Sequence, residues 1–151
     1  METRLPVMDR HTDPATRQLL SYLISKKLKF NRYKTIHVSL LYVSAIYGMI
    51  VLYTGYKRIV IPHDYSFMHV FSAFLEKGTY HYLFLLAAGL FGAVKIMYDK
   101  KEKAEKEFHA LRCEIIDRSK DLWKEEGWKQ RHKIFEQMKK MYDINLYHET
   151  K

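Results

Sequence analysis

The chain has 151 residues, the length of one ordinary domain, and a formal charge of +9 from 26 Lys/Arg against 17 Asp/Glu. Its single cysteine, Cys113, excludes an intrachain disulfide framework, and the mean hydropathy of -0.34 hides two apolar blocks set between charged ends. The basic excess lies mainly in residues 1–34, with eight Lys/Arg against three acids; residues 99–151 carry fourteen against twelve, too balanced for nucleic-acid binding and without a recognisable module for it.

Residues 1–12 mix charge with Pro6, show no period and are expected to be irregular. They lack the short apolar core of a cleaved signal, so the first apolar block is expected to serve as the targeting signal. Asp13-Pro14 then announces a helix, because Asp is a favoured N-cap and proline suits the first helical position. Leu19, Leu20, Leu23 and Ile24 recur at helical spacing among Arg17, Lys26, Lys27 and Lys29. Two expectations follow for this basic amphipathic segment. Its leucines lie either in a headgroup boundary, with the lysines on anionic lipid, or against the rest of the chain.

From Thr35 to Tyr56 run twenty-two residues without one Asp, Glu, Lys or Arg. As a helix this run is about 33 Å long, enough to cross a hydrocarbon core of about 30 Å. Val38, Leu40, Leu41, Ile46 and Ile50 each favour insertion by about 0.3–0.6 kcal/mol, while Ser39, Ser44, Tyr47 and His37 subtract from the total, so this helix is expected to gain from packing on a partner.

The loop 57–78 begins with Lys57-Arg58 and is otherwise unusually apolar. Phe67, Met68, Val70, Phe71, Phe74 and Leu75 would make a large patch in water, so a short amphipathic helix is expected from about Tyr65 to Glu76, with Gly78 near its C-cap. His63, Asp64, His69 and His81 bracket it, but their spacing matches no strong metal motif and they are read as interfacial polar residues.

A second apolar helix is expected over residues 79–98, with Lys95 near its end able to extend its ammonium to the headgroups. Ser44 and Gly48 on the first span, and Ala88 and Gly92 on the second, are each four apart and of similar depth in an antiparallel hairpin; small residues so spaced let helices approach. Lys26, Lys27, Lys29, Arg32 and Lys34 precede the first span, and Lys95, Lys100, Lys101 and Lys103 end or follow the second. The positive-inside rule therefore puts both termini in the cytoplasm.

Beyond the second span, alternating charges in residues 99–107 continue the helix, Phe108, Leu111 and Ile115 mark an apolar stripe, and Ser119 is a candidate cap. Gly127 interrupts the pattern before a last helix, about Trp128 to Tyr142, whose Trp128, Phe135, Met138 and Tyr142 form an apolar face. That face needs a cover: the segment 108–116, the N-terminal helix or another chain.

The layout, and above all DLWKEEGWKQRHKIFEQMKKMYDINLYHE at residues 121–149, resembles the YpbF family of small uncharacterised two-span membrane proteins of Bacillus and relatives. The resemblance implies a bacterial cell membrane and carries over no functional residues. The expected fold is thus all-α: a two-helix transmembrane hairpin with an amphipathic N-terminal helix and cytoplasmic C-terminal helices. The expected role is non-enzymatic, without a cofactor: an interaction or scaffold protein in the lipid bilayer, binding a second copy or another protein through Trp128, Phe135, Met138 and Tyr142. The alternatives are an anionic-lipid sensor using Lys26, Lys27, Lys29, Arg32, Lys34 and Lys95, and an enzyme built on the outward His/Asp cluster.

Overall fold

The structure, a computed structural model, describes residues 13–63, 67–76, 78–123 and 126–147. The expectation for residues 1–12 lies outside them. Among the described residues every regular element is helical: α1 (Pro14–Gly55), a π-helical turn (Tyr56–Val60), a 3-10 turn (Ile61–His63), α2 (Phe67–Glu76), α3 (Gly78–Asp117), α4 (Ser119–Leu122) and α5 (Glu126–Tyr142).

The two long helices follow from the absence of breakers. No proline stands between Pro14 and Pro62 or anywhere after Pro62, so nothing removes a backbone donor within either helix. At 42 and 40 residues, α1 and α3 are about 63 and 60 Å long, roughly twice a hydrocarbon core, and each is long and apolar enough to cross a membrane. The amphipathic segment and the first apolar run are therefore one continuous helix, and the second run continues without a break into the charged sequence. The first helix starts where Asp13-Pro14 predicts, with the Arg17 amide donating to the Asp13 carbonyl at 3.0 Å. It ends by widening: the Ile61 amide donates to the Tyr56 carbonyl, a π-type bond just before Pro62.

Three expected boundary signals change. Gly78 opens α3 instead of capping α2, and no described glycine has the positive φ of a left-handed cap. Gly127 lies in the first turn of α5, and Ser119 is the first residue of α4, whose cap position is Arg118 and carries no side-chain cap bond.

The chain divides into two compact units, Met1–Arg32 with Lys101–Lys151, and Tyr33–Lys100. In the first, both distant parts of the sequence build one core. The start of α1 contributes Leu20, Leu23 and Ile24, α3 contributes Phe108 and Ile115, and α5 contributes Ile134, Phe135 and Met138; Trp123, Ile144 and Leu146 complete it. Leu20, Leu23, Ile24, Ile115, Met138 and Ile144 are wholly inaccessible to solvent, and full burial of such a side chain is worth about 1.5–3 kcal/mol. Of the two expectations for the α1 leucines, packing against the rest of the chain is the one the structure shows, and the α5 face has its cover within the chain. Both results have one cause: the three amphipathic segments present apolar stripes that satisfy one another.

The second unit has little interior. Ser44, Ile59 and Ala73 are its buried described residues, whereas Leu52, Tyr42, Phe84 and Leu85 are among the large side chains left exposed along the apolar runs.

Candidate functional site

Within the first unit, the segments leading into the apolar runs are joined by charge. Lys26 Nζ donates to Glu107 Oε2 at 2.7 Å, linking α1 to α3 across 81 residues of sequence. The bond to Glu107, then that to the Tyr22 hydroxyl, raises the Lys26 pKa above its ordinary value. The Lys26 ammonium correspondingly holds the Glu107 carboxyl below its ordinary range, with Lys29 and Lys103 adding smaller attractions. Lys27 lies with its ammonium 5.2 Å from the Phe108 ring centroid and 3.4 Å from Asp143 Oδ2, its stem largely covered. Lys29 and Arg32 are exposed.

Lys34 and Lys95 belong to the other unit, so the six expected lipid-facing cations do not form a cluster within one body. Lys34 is exposed; Lys95 is also exposed and pairs with Asp99 at 2.8 Å, its ammonium 5.3 Å from the Tyr98 ring. Lys26, Lys27 and Lys95 are thus held by acids of the chain itself.

The four residues expected to bind a partner are placed differently. Phe135 and Met138 are buried in the first unit's own core, and Tyr142 is packed against it, half-buried. Of the three covers expected for this face, the two within the chain supply it: the core is shared with the start of α1 and the end of α3, so these side chains do not lie open to another chain. The Trp128 side chain lies outside the described residues. Phe135 meets Trp123 edge-on at 5.3 Å and Tyr147 edge-on at 5.5 Å, while the Tyr147 hydroxyl donates to the His132 carbonyl at 3.1 Å. The docked tail depends on the end of α5. Asp143 takes a left-handed φ of 55°, its amide donates to the Lys139 carbonyl at 3.0 Å, and the Ile144 amide donates to the Met138 carbonyl at 3.2 Å. Lys26–Glu107 and the Asp143 cap had no local sequence signal, since the pair is long-range and the cap position holds no glycine.

In the second unit, Ser44 is buried and Gly48 half-buried, but Ala88 and Gly92 are exposed, and a Cβ built on Gly48 or Gly92 would meet nothing within 4 Å. The four do not form one close-packed seam. Matching depth was the basis for pairing them, and depth does not fix which way a helix is rotated. The helices instead meet through a polar bond, Tyr47 Oη donating to the Leu83 carbonyl at 2.9 Å, and through the His37 and Tyr98 rings at 5.6 Å. Ser44 and Thr54 donate to carbonyls of their own helix, Leu41 at 2.9 Å and Ile50 at 2.8 Å. These back-bonds satisfy the two hydroxyls within their own helix.

Of the expected His/Asp cluster, Asp64 and the His63 side chain lie outside the described residues. His69 and His81 are exposed, and His81 rests 5.2 Å from the Phe74 ring. Among the described residues no three His, Cys, Asp or Glu side chains gather as a metal site.

Among the described residues these features define an all-helical protein with two helices long and apolar enough to span a membrane and a core built from the start of α1, the end of α3, α5 and the segment after it. The chain belongs to the family described as "Protein of unknown function (DUF2663)", whose model matches residues 19–149. It is 36% identical over 159 aligned positions, covering 100% of both chains, to "Uncharacterized protein YpbF" of Bacillus subtilis (strain 168). No solved structure matches it.

Proposed function

We propose that the chain is a non-enzymatic, two-span protein of the cell membrane, with both termini in the cytoplasm, which holds a folded helical unit at the membrane surface as a scaffold for another protein or a second copy. The observation that supports this most is continuity. The helices that build the closed core run without interruption into the two apolar runs, so the folded unit and its anchor are the same two helices. Because the aromatic stripe is already covered, the binding surface is the outside of the unit, including the exposed Lys139, Lys140 and Met141 of α5.

Site-specific photo-crosslinkers at Lys140 and Met141 in living cells test this. A discrete protein adduct at these positions, and none from a crosslinker at exposed Phe84, is expected. Absence of protein adducts at every exposed α5 position would refute the scaffold reading.

A second reading, recognition of anionic lipid, is favoured by the exposure of Lys29, Arg32 and Lys34 where α1 enters its apolar run. Each such cation near an anionic surface contributes about 1 kcal/mol. An Arg32→Gln, Lys34→Gln double variant would then lower the association of the N-terminal segment with anionic vesicles, an effect that disappears at high salt.

A further inference from the structure

Where α1 ends, one helical turn borders two cavities of opposite character. The first, about 400 Å³, is almost wholly apolar and is formed by Val51, Gly55 and Tyr56 with Val70, Phe71 and Phe74 of α2. The second, about 360 Å³ and far more polar, is formed by Thr54, Arg58, Thr79, Tyr80 and Leu83. Gly55-Tyr56 thus lie on the apolar cavity, while Thr54 and Arg58, close beside them in sequence, lie on the polar one. Lys57, between them, is exposed, its ammonium 5.9 Å from the Tyr53 ring.

A cavity of this size and lining accommodates a hydrocarbon chain, and a guanidinium among hydroxyls suits a phosphate, to which arginine can donate two parallel bonds. The two chemistries lie side by side at the end of the apolar run, the depth at which a phospholipid changes from acyl chain to headgroup. We propose that this end of the hairpin binds one anionic phospholipid, its acyl chain between α1 and α2 and its phosphate on Arg58. The proposal rests on the membrane-spanning reading given above. It also accounts for the apolar face of α2, where Val70, Phe71 and Phe74 form the wall that separates a held chain from the bulk lipid.

Gly55 supplies a clean variant. It has ordinary helical angles, φ −62° and ψ −48°, and a Cβ built there would meet nothing within 4 Å. Gly55→Leu therefore fills the apolar cavity at a position where leucine suits the helix better than glycine.

The test uses the full chain in phosphatidylcholine vesicles containing a small fraction of phosphatidylglycerol with a diazirine in its acyl chain, or of phosphatidylcholine carrying the same group. Photolysis is followed by mass spectrometry of the labelled residues. The phosphatidylglycerol probe is expected to label Val51, Tyr56, Phe71 and Phe74 severalfold more than Phe84 and Leu85 on α3, although those are 67% and 70% exposed. Gly55→Leu should lower pocket labelling severalfold without changing that of α3. Arg58→Gln should bring the ratio of anionic to zwitterionic labelling down to about one. Labelling spread evenly over all exposed apolar residues, or unchanged by Gly55→Leu, would overturn the pocket and leave the spans intact. Absence of labelling along both α1 and α3 would refute the membrane reading and the pocket together.

Discussion

Asp143 shows how the backbone conformation of one residue sets the path of the chain. Its φ of 55° is the conformation that turns Ile144 and Leu146 back into the core, and an L residue there carries a cost that glycine does not. Asp143→Gly is expected to raise the stability of the first unit by up to about 1 kcal/mol in urea unfolding, because the ion pair it removes is between Lys27 and a carboxylate that is 95% exposed. Asp143→Val should lower stability by about 1–2 kcal/mol. The Lys26–Glu107 pair predicts a pH dependence whose sign follows from the two shifts. Glu107 is lowered, so its contribution is complete above the ordinary value of 4.5 and is lost as pH falls through the lower folded value. Lys26 is raised, so its contribution is complete below its ordinary value of 10.5 and is lost as pH rises through the higher folded value. A double-mutant cycle with Lys26→Gln and Glu107→Gln should give a favourable coupling at neutral pH that disappears in acid well below pH 4.5. A coupling that persists there would mean the two side chains do not interact as an ion pair.

At the scale of the helix, sequence periodicity and tertiary partnership separate. Leu20, Leu23 and Ile24 already read as one apolar face, and Phe135 and Met138 as another, but a period of 3.6 says only that a face is covered, never by what. That the covers are each other's segments emerges only in three dimensions. Leu23→Ala and Met138→Ala should each cost about 2–5 kcal/mol and expose the same core to limited proteolysis, despite the distance between them in sequence. In the second unit, the small-residue spacing was legible but the rotation of each helix was not, which is why Ala88 and Gly92 are exposed while Tyr47 makes the contact. Tyr47→Phe removes the bond to the Leu83 carbonyl and should weaken the helix pair by about 0.6 kcal/mol, measured as unfolding in mixed micelles.

Across the whole molecule, the parts most legible in the sequence were those determined by composition: two apolar runs long enough to cross a membrane and a charge asymmetry around them. The cavities at the end of α1 were not legible, because Gly55, Arg58 and Phe74 acquire their relation only when α2 folds against the π-helical turn. Both long helices continue well beyond the apolar runs, so a membrane reading commits the closed core of the first unit to one compartment. Membrane topology is therefore the property on which the proposed function depends most. In a Cys113→Ser background, single cysteines at the exposed positions Ser25, His69 and Lys140 would be treated on intact cells with a membrane-impermeant thiol reagent, and again after permeabilisation. Labelling of position 69 alone is expected in intact cells, and of all three once the membrane is opened. Labelling of positions 25 and 140 but not 69 in intact cells would contradict a cytoplasmic core, and recovery of the chain in the soluble fraction would contradict the membrane anchor itself.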